Sequence, residues 1–116
     1  MASLDELFTD LTNAVKEGAA SRGFVEAPEP GQGAFGGRVA RWRRGSEELV
    51  LLWDAREQWI NFEFRPSPDQ PAAIEWTGTL SDRYTGQNIS DSDMHQLRQA
   101  LTKALASVWS RRPGRP

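Results

Sequence analysis

Val39-Ala40-Arg41-Trp42-Arg43-Arg44-Gly45-Ser46-Glu47-Glu48-Leu49-Val50-Leu51-Leu52 is the stretch on which the fold turns, two apolar-rich runs set back to back around a Gly-Ser pair. Glycine at the first central position of a two-residue connection suits a type II′ turn, whose twist matches that of the strands it joins. Closing a hairpin there sets Arg44 opposite Glu47, Arg43 opposite Glu48, Trp42 opposite Leu49, Ala40 opposite Leu51, Val39 opposite Leu52 and Arg38 opposite Trp53. Two Arg-Glu cross-strand pairs come out of that alignment, each contributing roughly 0.2–1 kcal/mol.

The pattern continues outward, so that three consecutive strand signals occupy Phe35 to Phe64. Asp54-Ala55-Arg56-Glu57 joins the second to the third; it lacks the Gly or Asn of a primed turn, but its leading Asp suits a type I turn in a longer loop. Setting Leu51 opposite Ile60 and Leu49 opposite Phe62 gathers Ala40, Trp42, Leu49, Leu51, Ile60, Phe62 and Phe64 on one face. A slip of one residue would bring Asn61 and Glu63 there instead, which a buried surface forbids.

Amphipathic helices flank this meander. Ser3 and Glu6 form a capping box ahead of Leu4, Leu7, Phe8, Leu11, Ala14 and Val15, which recur at helical spacing. Gly18 or Gly23 supplies a left-handed stop, and a short strand through Phe24, Val25 and Glu26 follows, ended by Pro28 and Pro30. Beyond the prolines of 66–71, Ile74, Trp76 and Leu80 alternate with Glu75, Thr77 and Thr79, the period of a half-buried strand. Ser90 then caps a second helix, with Asp91 and Asp93 in its first turn and a staple between Ile89 and Met94. Its stripe is Met94, Leu97, Leu101, Ala104, Leu105, Val108 and Trp109.

The order α-β-β-β-β-β-α predicts an α+β, two-layer sandwich: an antiparallel four- to five-stranded meander sheet with the N- and C-terminal helices packed on one face. At 116 residues this is one domain over 1–110, followed by a flexible tail, 111–116. The net charge of −2 provides no basic field to recruit nucleic acid or anionic lipid. The chain has no cysteine, which removes disulfides, thiol nucleophiles and cysteine metal sites. The N-terminus carries neither a basic region nor a continuous apolar segment, and no apolar run reaches membrane-spanning length; a cytoplasmic protein without membrane contact is expected. Twelve Arg against two Lys reads as the codon bias of a GC-rich bacterial genome rather than selection for anion binding.

Several patterns imitate chemistry. Gly31-Gln32-Gly33-Ala34-Phe35-Gly36 is a literal G-x-G-x-x-G, and its aromatic before the third glycine resembles the glycine-rich loop of protein kinases. The context fails, because Arg38 stands where that loop has Val and the only lysines, Lys16 and Lys103, fall in helices. A dinucleotide site fails as well, since a strand and not a helix follows the glycines. The 31–37 segment is therefore read as a connection between strands. His95, with Asp91 one turn earlier, falls short of a metal site, which needs about four ligands. No serine sits in a nucleophile elbow, and Asp54 and Glu57 are acidic because turns favour them. No catalytic, cofactor or metal residue is assigned.

Arg41-Trp42-Arg43-Arg44 pairs basic charge with an aromatic, the combination that grips single-stranded nucleic acid. The register turns Trp42 to the core and spends Arg43 and Arg44 on glutamates, so nucleic-acid binding is the runner-up. Helices on one face leave Val39, Arg41, Arg43, Glu48, Val50, Leu52, Trp59, Asn61, Glu63, Thr77 and Thr79 on the other. There Val39, Leu52 and Trp59 form an apolar row rimmed by polar groups, the composition of an interface. The expected function is a non-catalytic protein-binding module, adaptor-like, immunity- or antitoxin-like, or secretion-chaperone-like. Its binding residues are Val39, Arg41, Leu52, Trp59 and Asn61, and its partner is another protein or a second copy of the chain. An enzyme or small-ligand binder with a pocket between sheet and helix ends is a further alternative.

Overall fold

A computed structural model of the chain describes residues 1–27 and 37–111. Two helices, α1 (Leu4–Ala20) and α2 (Asp91–Trp109), bracket five strands, β1 (Val25–Glu26), β2 (Arg38–Arg44), β3 (Glu47–Asp54), β4 (Trp59–Arg65) and β5 (Ile74–Thr79). The strands form one antiparallel sheet in sequence order, β1-β2-β3-β4-β5. The fold is α+β, as the order of the elements predicts.

The β2–β3 hairpin has the register expected of it, from Arg38 opposite Trp53 to Arg44 opposite Glu47. Gly45 takes φ 58°, while Ser46 is not among the described residues with positive φ, the combination that separates type II′ from type I′. Glu48 Oε2 accepts from Arg43 Nε at 3.1 Å and Glu47 Oε1 from Arg44 Nε at 2.7 Å.

The β3–β4 register is corrected by two residues: Leu51 lies opposite Phe62 and Leu49 opposite Phe64, not Ile60 and Phe62. The cause is the Asp54 side chain, whose Oδ1 accepts from the backbone N–H groups of both Arg56 and Glu57 at 3.0 Å. With those donors satisfied the loop runs on to Gln58, which adopts φ 60° and donates its N–H to the Asp54 carbonyl at 2.7 Å. Strand pairing begins only at Asp54 and Trp59. A shift of two preserves face parity, so the expected core face survives, enlarged by Trp53 at 2% exposure.

Both helices bury their apolar stripes on this face. Leu4, Leu7, Leu11, Val15 and Ala19 of α1 and Leu97, Leu101, Leu105 and Val108 of α2 join Trp42, Leu49, Leu51, Trp53, Ile60, Phe62 and Phe64 in one hydrophobic cluster. The capping box of Ser3 and Glu6 is formed, and Ser90 Oγ accepts from Asp93 N at the start of α2. The helix starts are tied side by side through a bridge in which Ala2 and Ile89 exchange backbone hydrogen bonds at 2.7 and 3.1 Å. Gly18 does not stop α1, which runs to Ala20; Gly23, at φ 83°, supplies the left-handed residue after it. Gly78 lets α2 approach β5, since a β-carbon there would lie 2.6 Å from Leu97 Cδ2. Pro28, Pro30, the glycines of 31–36 and the tail beyond Arg111 lie outside the described residues.

Candidate functional site

Strand alternation places every second residue of β2 to β5 on the face opposite the helices. Paired positions there form rows across the sheet: Arg43, Glu48 and Arg65; Arg41, Val50, Glu63 and Glu75; Val39, Leu52, Asn61 and Thr77; Asp54, Trp59 and Thr79. Among the described residues neither helix covers these rows. Val39, Val50, Leu52 and Trp59 are half-buried.

The corrected register changes the shape of the apolar patch. Leu52 pairs with Asn61, and Trp59 belongs to the next row, opposite Asp54. Val39, Leu52 and Trp59 therefore bend around Asn61 instead of forming a straight row. Trp59 is a diagonal neighbour of Leu52, a separation that a large aromatic side chain can span. The structure thus brings Val39, Leu52 and Asn61 into one row, with Arg41 and Trp59 on either side of it.

Several polar groups around the patch are paired within the face, while Glu75 stands exposed opposite Glu63. Glu48 takes Arg41 NH1 at 3.4 Å and Arg43 Nε at 3.1 Å, and Glu63 takes Arg65 NH2 at 3.3 Å. Thr77 Oγ1 donates to Asn61 Oδ1 at 2.8 Å. The indole N–H of Trp59 is shielded and has no acceptor among the described residues, a rare state for a buried donor. Trp42 is 1% exposed in the core, so its ring is not available for base stacking, and Arg43 and Arg44 each hold a glutamate.

The chemistry-like patterns come to rest elsewhere. His95 and Asp91 are exposed on α2, and among the described residues no three His, Asp or Glu side chains converge on a metal position. A hollow of about 510 Å³ runs along the outer side of α2, lined by His95, Arg98, Gln99, Thr102, Lys103 and Ala106. Asp93 is the buried acid among the described residues, 6% exposed. Its carboxylate accepts from Ser81 N at 2.9 Å and Ser81 Oγ at 2.6 Å, tying the turn after β5 to the start of α2. No helix among the described residues is long and apolar enough to cross a membrane.

Three features escape sequence reasoning. Trp53 shares the parity of Leu49 and Leu51, so alternation alone was the signal for its burial. Tyr84, in a polar loop, accepts from Leu4 N at 2.9 Å and packs edge-on against Trp53; no local pattern announces it. The arginines at 22, 44 and 111 meet at the helix ends, although they come from separate parts of the chain. No family model, curated protein or solved structure matches this chain.

Proposed function

We propose that this chain is a non-catalytic protein-binding module that receives its partner on the helix-free face of the sheet, around Val39, Arg41, Leu52, Trp59 and Asn61. The observation that carries this reading is the coincidence of an apolar patch with the flanking Arg and Glu side chains of β2, β3 and β4 already paired inside the face. Docking over such a surface buries compensated pairs and not isolated ions, whose burial would cost several kcal/mol each. A second copy of the chain is the simplest occupant, because a two-fold assembly needs only one self-complementary patch.

The adaptor-like, immunity-like or secretion-chaperone-like roles that suit a small domain of this kind rest on analogy of size and fold. A bacterial setting goes with them, on the strength of an Arg-, Ala- and Gly-rich composition, and a cytoplasmic one is part of the same proposal. The ion pairs of Arg43 and Arg44 and the burial of Trp42 weigh against the nucleic-acid alternative.

Light scattering across a concentration series, together with amide chemical shifts on dilution, tests the reading. The expected result is a mass that doubles as concentration rises, with shifts confined to β2, β3 and β4. A monomer at every concentration up to about 1 mM, where even a weak association of about −4 kcal/mol would register, overturns self-association.

A further inference from the structure

At the end of the sandwich where both helices stop, a cleft of about 210 Å³ is lined by Arg22, Arg44, Arg111, Glu47, Trp109 and Phe64, with Val108 on the apolar side. Each arginine lies over an aromatic ring: Arg22 over Trp109 at 4.4 Å, Arg44 over Phe24 at 4.4 Å and Arg111 over Phe64 at 5.2 Å from the centroid. These distances fall within the range of cation–π attraction, which holds the guanidinium planes in place. Phe24 and Trp109 are themselves 6.1 Å apart between centroids. The cleft is therefore an aromatic floor with three oriented cations around it.

Two of those cations are partly engaged. Arg22 NH1 donates to the Gly18 carbonyl at 3.0 Å and to Ser21 Oγ at 3.2 Å, and Arg44 donates to Glu47 and to the Arg22 carbonyl, both at 2.7 Å. Arg111 is exposed and makes no ion pair among the described residues. The local charge decides the ligand. Among the described residues that line the cleft, three guanidinium charges stand against one carboxylate, Glu47, and about half a negative charge from the C-terminus of each helix. About one positive charge remains.

We propose that this cleft binds a monocarboxylate with an aromatic or branched apolar body. A guanidinium fork matches a carboxylate in two parallel hydrogen bonds. An apolar cavity of about 150 Å³ in another protein accepts benzene, so the space here holds a ring of that size together with a carboxylate. The body packs against Val108 and the half-buried face of Trp109. A phosphate dianion exceeds the residual charge and meets the negative ends of two helices. This site is independent of the sheet-face reading.

Calorimetry with 3-phenylpropionate, its neutral amide 3-phenylpropanamide, and phenyl phosphate tests the proposal. The carboxylate is expected to bind saturably, and the amide and Arg111→Gln each to weaken binding by about tenfold or more, the worth of a charged hydrogen bond. Phenyl phosphate is expected to bind more weakly than the carboxylate. No saturable binding up to about 10 mM, an amide that binds equally well, a phosphate that binds more tightly, or an unaffected Arg111→Gln overturns it. Should Arg111→Gln lower the melting temperature, the arginine Nε–H resonances of the unmodified protein decide. Those of Arg22, Arg44 and Arg111 shift on adding 3-phenylpropionate if the assignment is right and stay fixed if it is wrong.

Discussion

Trp109 occupies the space that a side chain at Gly18 would need: its Cζ2 and Nε1 atoms lie 2.9 Å from the position of a β-carbon there. The last turn of α2 thereby seats its indole against the last turns of α1, beside Phe24 and under Arg22. Glycine inside a helix costs roughly 0.5–1 kcal/mol relative to alanine, and the close approach of the two helices is what that cost permits.

Gly18→Ala is therefore expected to lower the melting temperature. At an ordinary exposed helical site the exchange gains up to about 1 kcal/mol. Here the new β-carbon displaces the indole, and overpacking of about 1–3 kcal/mol outweighs the gain. A higher melting temperature in the variant would mean that the ring swings aside without cost.

Phe62, on β4 between Leu51 of β3 and Trp76 of β5, is fully buried in the core. Phe62→Ala should cost about 3–5 kcal/mol, a large share of the roughly 5–15 kcal/mol available to a domain. A chemical-denaturation midpoint equal to that of the unmodified protein would contradict its place in the core.

Asp93 couples α2 to the turn after β5 through two hydrogen bonds from Ser81. Asp93→Ala leaves both donors without their acceptor and is expected to cost about 1–3 kcal/mol. Asp93→Asn should cost less, because its amide oxygen still accepts one of the two. Equal denaturation midpoints for Asp93→Ala and Asp93→Asn would show that these bonds carry no stability.

Leu52→Thr combined with Trp59→Ser removes the apolar patch while keeping residues that a strand tolerates. Loss of assembly with a melting temperature within a few degrees of the original is expected, a change of less than about 1 kcal/mol. A protein that is monomeric beforehand and melts far lower afterwards would place the patch in the intramolecular core.

The first hairpin was legible in full because a two-residue connection with glycine at its first position leaves one register for the flanking residues. The second was legible only in its faces. Nothing in Asp54-Ala55-Arg56-Glu57-Gln58 states that the Asp54 carboxylate will satisfy two backbone donors and carry the loop on to a left-handed Gln58. That choice moved Trp59 away from Leu52 and bent the candidate patch around Asn61. Parity survived because any even shift returns each side chain to its own face.

The sequence by itself determined which side of each element turns inward, since that information is periodic and local: alternation in the strands, three-to-four spacing in the helices, caps at Ser3 and Ser90. The tertiary structure alone decided which ends meet. The Ala2–Ile89 bridge, the reach of Tyr84 to the start of α1, and the gathering of Arg22, Arg44 and Arg111 over three rings join residues from distant parts of the chain. Such contacts come into being only when the packed helices and sheet bring those segments together, and no local period in the chain encodes them.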